Sequence, residues 1–147
     1  MTQDLSWLRP WFNNRVEAWW ESTKLSYELY SQRVELSAHQ VGQAVLDLVG
    51  QGKDVQIVAL DTKYRTYSRE VWQRIIADDE TNKAMGWPDV FDCDDFAKRF
   101  WSNASVWYGA TAVGFVNDVS AGHAYNVIVF ANGKAELFEP QQDRFVT

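Results

Sequence analysis

Apolar positions along the chain change period several times, and each change marks a different element. Over residues 5–21, Leu5, Leu8, Trp11, Phe12, Val16, Trp19 and Trp20 recur at three- and four-residue spacing, the signature of a helix with one buried face. Pro10 interrupts the pattern and fits a restart, since proline is tolerated in a first helical turn. Leu25, Leu29, Val34, Val41, Val45, Leu48 and Val49 continue a similar spacing, which predicts a second helix over 24–49 closed by Gly50 and Gly52. Together the two read as a helical hairpin packed on the rest of the chain, with an oligomerisation arm as the alternative.

From residue 54 the period shortens. The apolar run within 54–60 has the length and composition of a buried strand. Ser68 then caps a helix to about Ala77 whose apolar side is Val71, Trp72, Ile75 and Ile76. After a polar loop over 78–82, a further helix is expected from Cys93 to about Trp107, followed by strands near 111–117 and 123–130. Asn132-Gly133 between two apolar runs signals a hairpin, with a last strand over 134–139. Helices first and antiparallel strands afterwards predict an α+β chain: N-terminal helices packed on a small antiparallel sheet. The expectation is a single domain over 1–147, divided into the helical hairpin 1–52 and a core over 53–147.

Composition sharpens this picture. The 147 residues are 46% hydrophobic, enough for one domain with a real core. Aromatic residues reach 15%, with eight Trp, so large flat side chains must build much of that core. The net charge of −6 argues against nucleic acid or an anionic membrane as partner, because both need clustered Lys and Arg. The apolar runs are too short for a bilayer, and the N-terminus shows neither the basic nor the apolar part of a secretory signal. A cytoplasmic location is therefore expected. The lone cysteine excludes an internal disulfide and a zinc site built on Cys pairs.

That cysteine lies in Asp92-Cys93-Asp94-Asp95-Phe96-Ala97. Asp92 can cap the helix and Asp95 can reach back to complete a capping box, which makes Cys93 the first helical residue. The positive end of the helix dipole favours a thiolate there. A buried structural cysteine is the plainer alternative. Gly122-His123-Ala124-Tyr125 opens an apolar strand with one of only two histidines, and His123 after a helix-start Cys fits a general base. Such a base needs a partner to fix its tautomer, and Glu139 and Gln141 are the candidates. Register decides. With a three-residue loop over 131–133, His123 lies opposite Gln141, and Glu139 lies diagonally on the same face. A strict two-residue Asn-Gly turn puts both on the wrong face. Asp92, Asp94 and Asp95 oppose ionisation of the thiol; a dication there would reverse the local sign, and oxygen ligands suit calcium or manganese. Ordinary enrichment of Asp in a first helical turn is the alternative.

The strings DCDDFA, GHAYNV and EPQ, in this order, resemble the C-terminal cysteine-protease domain of fungal agglutinins of the Marasmius oreades type over roughly residues 54–142. The resemblance implies a papain-like or transglutaminase-like fold, hydrolysis of peptide bonds and dependence on a divalent metal. It implies Cys93 as nucleophile, His123 as base and Glu139 as orienting acid. Trp87, six residues before Cys93, matches the position of an oxyanion-hole donor, although a core Trp before Pro88 fits equally well. The expected function is a thiol hydrolase acting on a protein or peptide, with calcium or manganese held at Asp94 and Asp95. The alternatives are a cell-wall amidase or transglutaminase, and a non-catalytic binding or assembly protein on the same scaffold.

Overall fold

The computed structural model describes residues 25–50 and 56–146, so the helix expected over 5–21 lies outside the described residues. The expected helix over 24–49 is interrupted. Residues 25–30 are helical, strand β1 (Val34–Ser37) follows, and helix α1 runs over Ala38–Val49. Ser37 causes the break. It is extended, its hydroxyl accepts from the Gln40 N–H, and the Gln40 side chain accepts from the Ser37 N–H at 2.8 Å. This capping box starts a new helix instead of continuing an old one.

β1 pairs antiparallel with β2 (Lys63–Thr66), with Leu36 opposite Tyr64. The strand expected over 54–60 is not formed in its described part: residues 56–60 lie outside any strand, and Val58 and Leu60 are exposed. Helix α2 (Arg69–Asp78) begins at the Ser68 cap and buries Val71, Trp72, Ile75 and Ile76, as its spacing requires. A 3₁₀ turn over Thr81–Lys83 follows.

Helix α3 (Cys93–Tyr108) buries Phe96, Ala97, Phe100, Ala104 and Tyr108 along one stripe and stops at Gly109, which is left-handed at φ 62°. Strands β3 (Val113–Asp118), β4 (His123–Val129), β5 (Ala135–Glu139) and β6 (Arg144–Val146) form an antiparallel sheet in sequence order. Asn126 faces Phe138 and Val129 faces Ala135, so the loop between β4 and β5 has three residues, 131–133. Phe130 closes it by donating to the Lys134 carbonyl at 2.8 Å.

The main core lies where α2 and α3 meet the sheet. Phe100 packs with its ring centre 4.6 Å from that of Phe138 and 6.4 Å from that of Trp72. A smaller cluster of Leu36, Ala44, Ala112 and Val129 seats α1. The chain is thus mixed α and β with small antiparallel sheets, as its pattern predicts. Among the described residues no helix is long and apolar enough to cross a membrane.

Candidate functional site

His123 is the first residue of β4 and Glu139 the last of β5. The three-residue loop sets their register, and His123 Nε2 lies 2.6 Å from Glu139 Oε2. Glu139 is buried, and its other oxygen accepts the backbone N–H of Gln141 at 3.1 Å. The acid therefore holds the ring, while Gln141 holds the acid through its main chain. Tyr125, two residues along the same strand, meets the His123 ring edge-on at 4.4 Å between centres.

Cys93 is the first residue of α3 and carries a free, half-buried thiol. Among the described residues no hydrogen bond joins it to His123. The expected capping box is not formed, for Asp92 makes no side-chain cap. Its carboxyl bonds to Asp94 instead. This shared hydrogen bond holds Asp92 above the usual carboxylate range and Asp94 below it, with Lys98 lowering Asp94 further. Asp92, Asp94 and Asp95 offer oxygens within 4.8 Å of one another. Lys98 forms ion pairs with Asp94 and Asp95, so it offsets part of the acidic flank. The i, i+4 spacing of Asp94 and Lys98 carries that pairing in the sequence.

Trp87 stands in the loop before α3 and is 58% exposed. Its backbone pairs with Phe91 in both directions at 2.8 Å, which tightens the loop. No hydrogen bond of its indole N–H is formed among the described residues.

Asn126 is a further residue at this end of the fold. It is fully buried, and its amide donates to the Ala97 carbonyl of α3 at 2.9 Å and to the Gly114 carbonyl of β3 at 3.2 Å. It fastens β4 to the helix one turn beyond Cys93. One polar residue inside the apolar run 124–130 is the signal that marks it.

Among the described residues, an open groove of about 1480 Å³ runs between α1 and the β3 side of the sheet. Tyr64, Trp101 and Tyr125 give it aromatic walls, and Ser102, Asn117 and Asp118 give it polar ones.

No protein-family model matches the chain, and no curated protein matches it. Solved structures do. One is PSL1a in complex with E64, at 23% identity and a TM-score of 0.62, covering 78% of this chain and 47% of that one. Another is the Polyporus squamosus lectin bound to the human-type influenza-binding epitope Neu5Aca2-6Galb1-4GlcNAc, at 23% identity and a TM-score of 0.59, covering 78% and 46%. The chain thus spans less than half the length of these neighbours. They correct the expected assignment. What the chain shares is part of the fold of these two proteins, and they do not support the expected reading as a Marasmius oreades-type papain-like protease, a thiol hydrolase with a catalytic triad and a peptide substrate, which is set aside.

Proposed function

We propose that this chain is a non-catalytic binding domain that takes a saccharide in the groove beside β3. The groove carries the reading. A sugar presents flat C–H faces and a rim of hydroxyls, and Trp101 and Tyr125 beside Ser102, Asn117 and Asp118 offer partners for both. The fold shared with a lectin bound to a sialylated trisaccharide supports it. Titration calorimetry with Neu5Aca2-6Galb1-4GlcNAc and with its unsialylated core should give saturable heat. Tyr125→Ala should weaken binding about ten-fold, the equivalent of one lost aromatic contact of about 1.4 kcal/mol. Absence of binding to both sugars at millimolar concentration would sink the proposal.

A second ligand is favoured by Cys93 at the head of α3 and by the E64 bound to PSL1a. The probe is iodoacetamide, from which a thiolate displaces iodide to form a thioether. This capture is stoichiometric and needs no turnover. The expected result is one adduct, mapped to Cys93 by mass spectrometry and abolished in Cys93→Ser. Calcium or manganese held at Asp92, Asp94 and Asp95 should speed it relative to chelator, because a dication offsets the carboxylates that oppose the thiolate. A native chain left unmodified with and without metal refutes this reading.

A further inference from the structure

The turn between β5 and β6 is anchored at one point away from the site. Asp143, its last residue, is left-handed at φ 49°, a conformation that few side chains other than Asn and Asp adopt. Its Oδ2 accepts from Asn82 Nδ2 at 2.6 Å, tying the turn to the 3₁₀ segment after α2. The other half of that amide, Asn82 Oδ1, is buried and has no hydrogen-bond partner among the described residues. A buried carbonyl oxygen without a donor costs free energy, and the group beside it is a carboxyl that can carry a proton.

We infer that Asp143 and Asn82 form a proton-dependent clasp. With Asp143 protonated, its O–H donates to Asn82 Oδ1 while its carbonyl oxygen accepts from Nδ2, a two-bond acid–amide pair. With Asp143 ionised, the second bond is lost and Oδ1 is orphaned. Two charged groups act on Asp143. Asp79, at the end of α2, is buried and held by the Thr81 N–H and the Asn103 amide at 2.8 Å each. Lys83 lies on the 3₁₀ turn and is paired with Glu80 at 3.0 Å. Burial first and the Asp79 charge second push Asp143 up to about 6, against Lys83.

The sign follows from this elevation. The folded value lies above the unfolded one, so the stabilisation is complete below the unfolded value near ~4. It is lost as pH rises through about 6 and stays lost above it. The clasp therefore fastens in mild acid. Glu139 begins the same turn, pairing with Arg144 and accepting at its carbonyl from the Gln142 N–H, so the fastened turn also steadies the acid that holds His123.

Hydrogen exchange on the whole chain tests this. After correction for intrinsic rates, the amides of Arg144–Val146 and Asn82–Ala84 should exchange about ten-fold more slowly at pH 5 than at pH 8. Asp143→Asn, whose amide both donates and accepts without a proton, should be equally protected at the two values. An unchanged pH dependence in Asp143→Asn overturns the inference. Carbon-13 titration of the Asp143 carboxyl in the unmodified chain decides independently of that variant: a midpoint near 6 supports the clasp, and one at or below ~4 refutes it.

Discussion

Asn126→Asp should lower the stability of the domain by at least about 3 kcal/mol at neutral pH. The side chain is fully buried in the middle of β4. Its amide hydrogens satisfy two carbonyl oxygens, Ala97 on the helix and Gly114 on the neighbouring strand. The substitution preserves shape and removes both donors. It also places a charge opposite two acceptors. The native amide already carries one defect, because Asn126 Oδ1 is buried without a partner among the described residues, and the introduced carboxyl does nothing to repair it. The loss depends on pH in a defined direction. Burial raises the introduced carboxyl above its unfolded value near ~4, so the cost is smallest in acid and grows as pH rises. Urea denaturation at pH 4.5 and at pH 7.5 reads both effects as shifts in midpoint with the slope unchanged. A midpoint at pH 7.5 within about 0.5 kcal/mol of the parent would mean that β4 and α3 are not joined through this residue.

Elements with local signals were legible in the sequence. Ser68 and the four apolar residues after it define α2, and the stripe from Phe96 to Tyr108 defines α3. Asn132-Gly133 marks the β4–β5 hairpin but leaves two loop lengths open; the structure has the three-residue loop, the one that brings Glu139 to His123. Elements that depend on distant partners were not legible. Val34 and Leu36 suit a helical stripe as well as a strand, and only pairing with Lys63–Thr66, some thirty residues on, selects the strand. The run 56–60 has strand composition, yet the pairing partner is taken by β2. β6 has three residues and offers no period to read.

At the site, residue types were legible and chemistry was not. The helix-start Cys93 and the His123–Glu139 pair stand where the sequence places them. The expected Asp92 cap is not formed, and the Asp92 carboxyl is instead perturbed by its neighbour Asp94. Three short motifs in order specify a scaffold, and a scaffold is compatible with several functions. Asn126 and Asp143 escaped because their importance comes from burial, which an isolated polar letter does not announce.

Trp72→Ala should destabilise the domain by about 3–5 kcal/mol, and Trp72→Phe by a smaller amount with a different origin. Among the described residues Trp72 is the largest side chain with no exposure, at the meeting point of α2, α3 and the sheet. Truncation to alanine removes an indole from a core already filled by Phe100 and Phe138, whose positions on α3 and β5 leave little room to collapse inward. Phenylalanine refills most of that volume, yet it cannot donate. Trp72 Nε1 donates to Thr66 Oγ1 at 2.9 Å, and the Thr66 hydroxyl donates in turn to the Val129 carbonyl. The relay joins α2 to β2 and β2 to β4 through groups that are all buried. Trp72→Phe thus leaves Thr66 with its own bond to Val129 and costs about one hydrogen bond beyond the packing loss, roughly 1 kcal/mol. Thr66→Val breaks both links at once and strands the indole N–H. The double variant Trp72→Phe with Thr66→Val should then be less destabilised than the sum of its parts, because Trp72→Phe removes the indole donor that Thr66→Val strands. Denaturation midpoints of the four proteins measure this coupling. Strict additivity would show that the indole hydrogen bond contributes nothing and that Trp72 acts through volume alone.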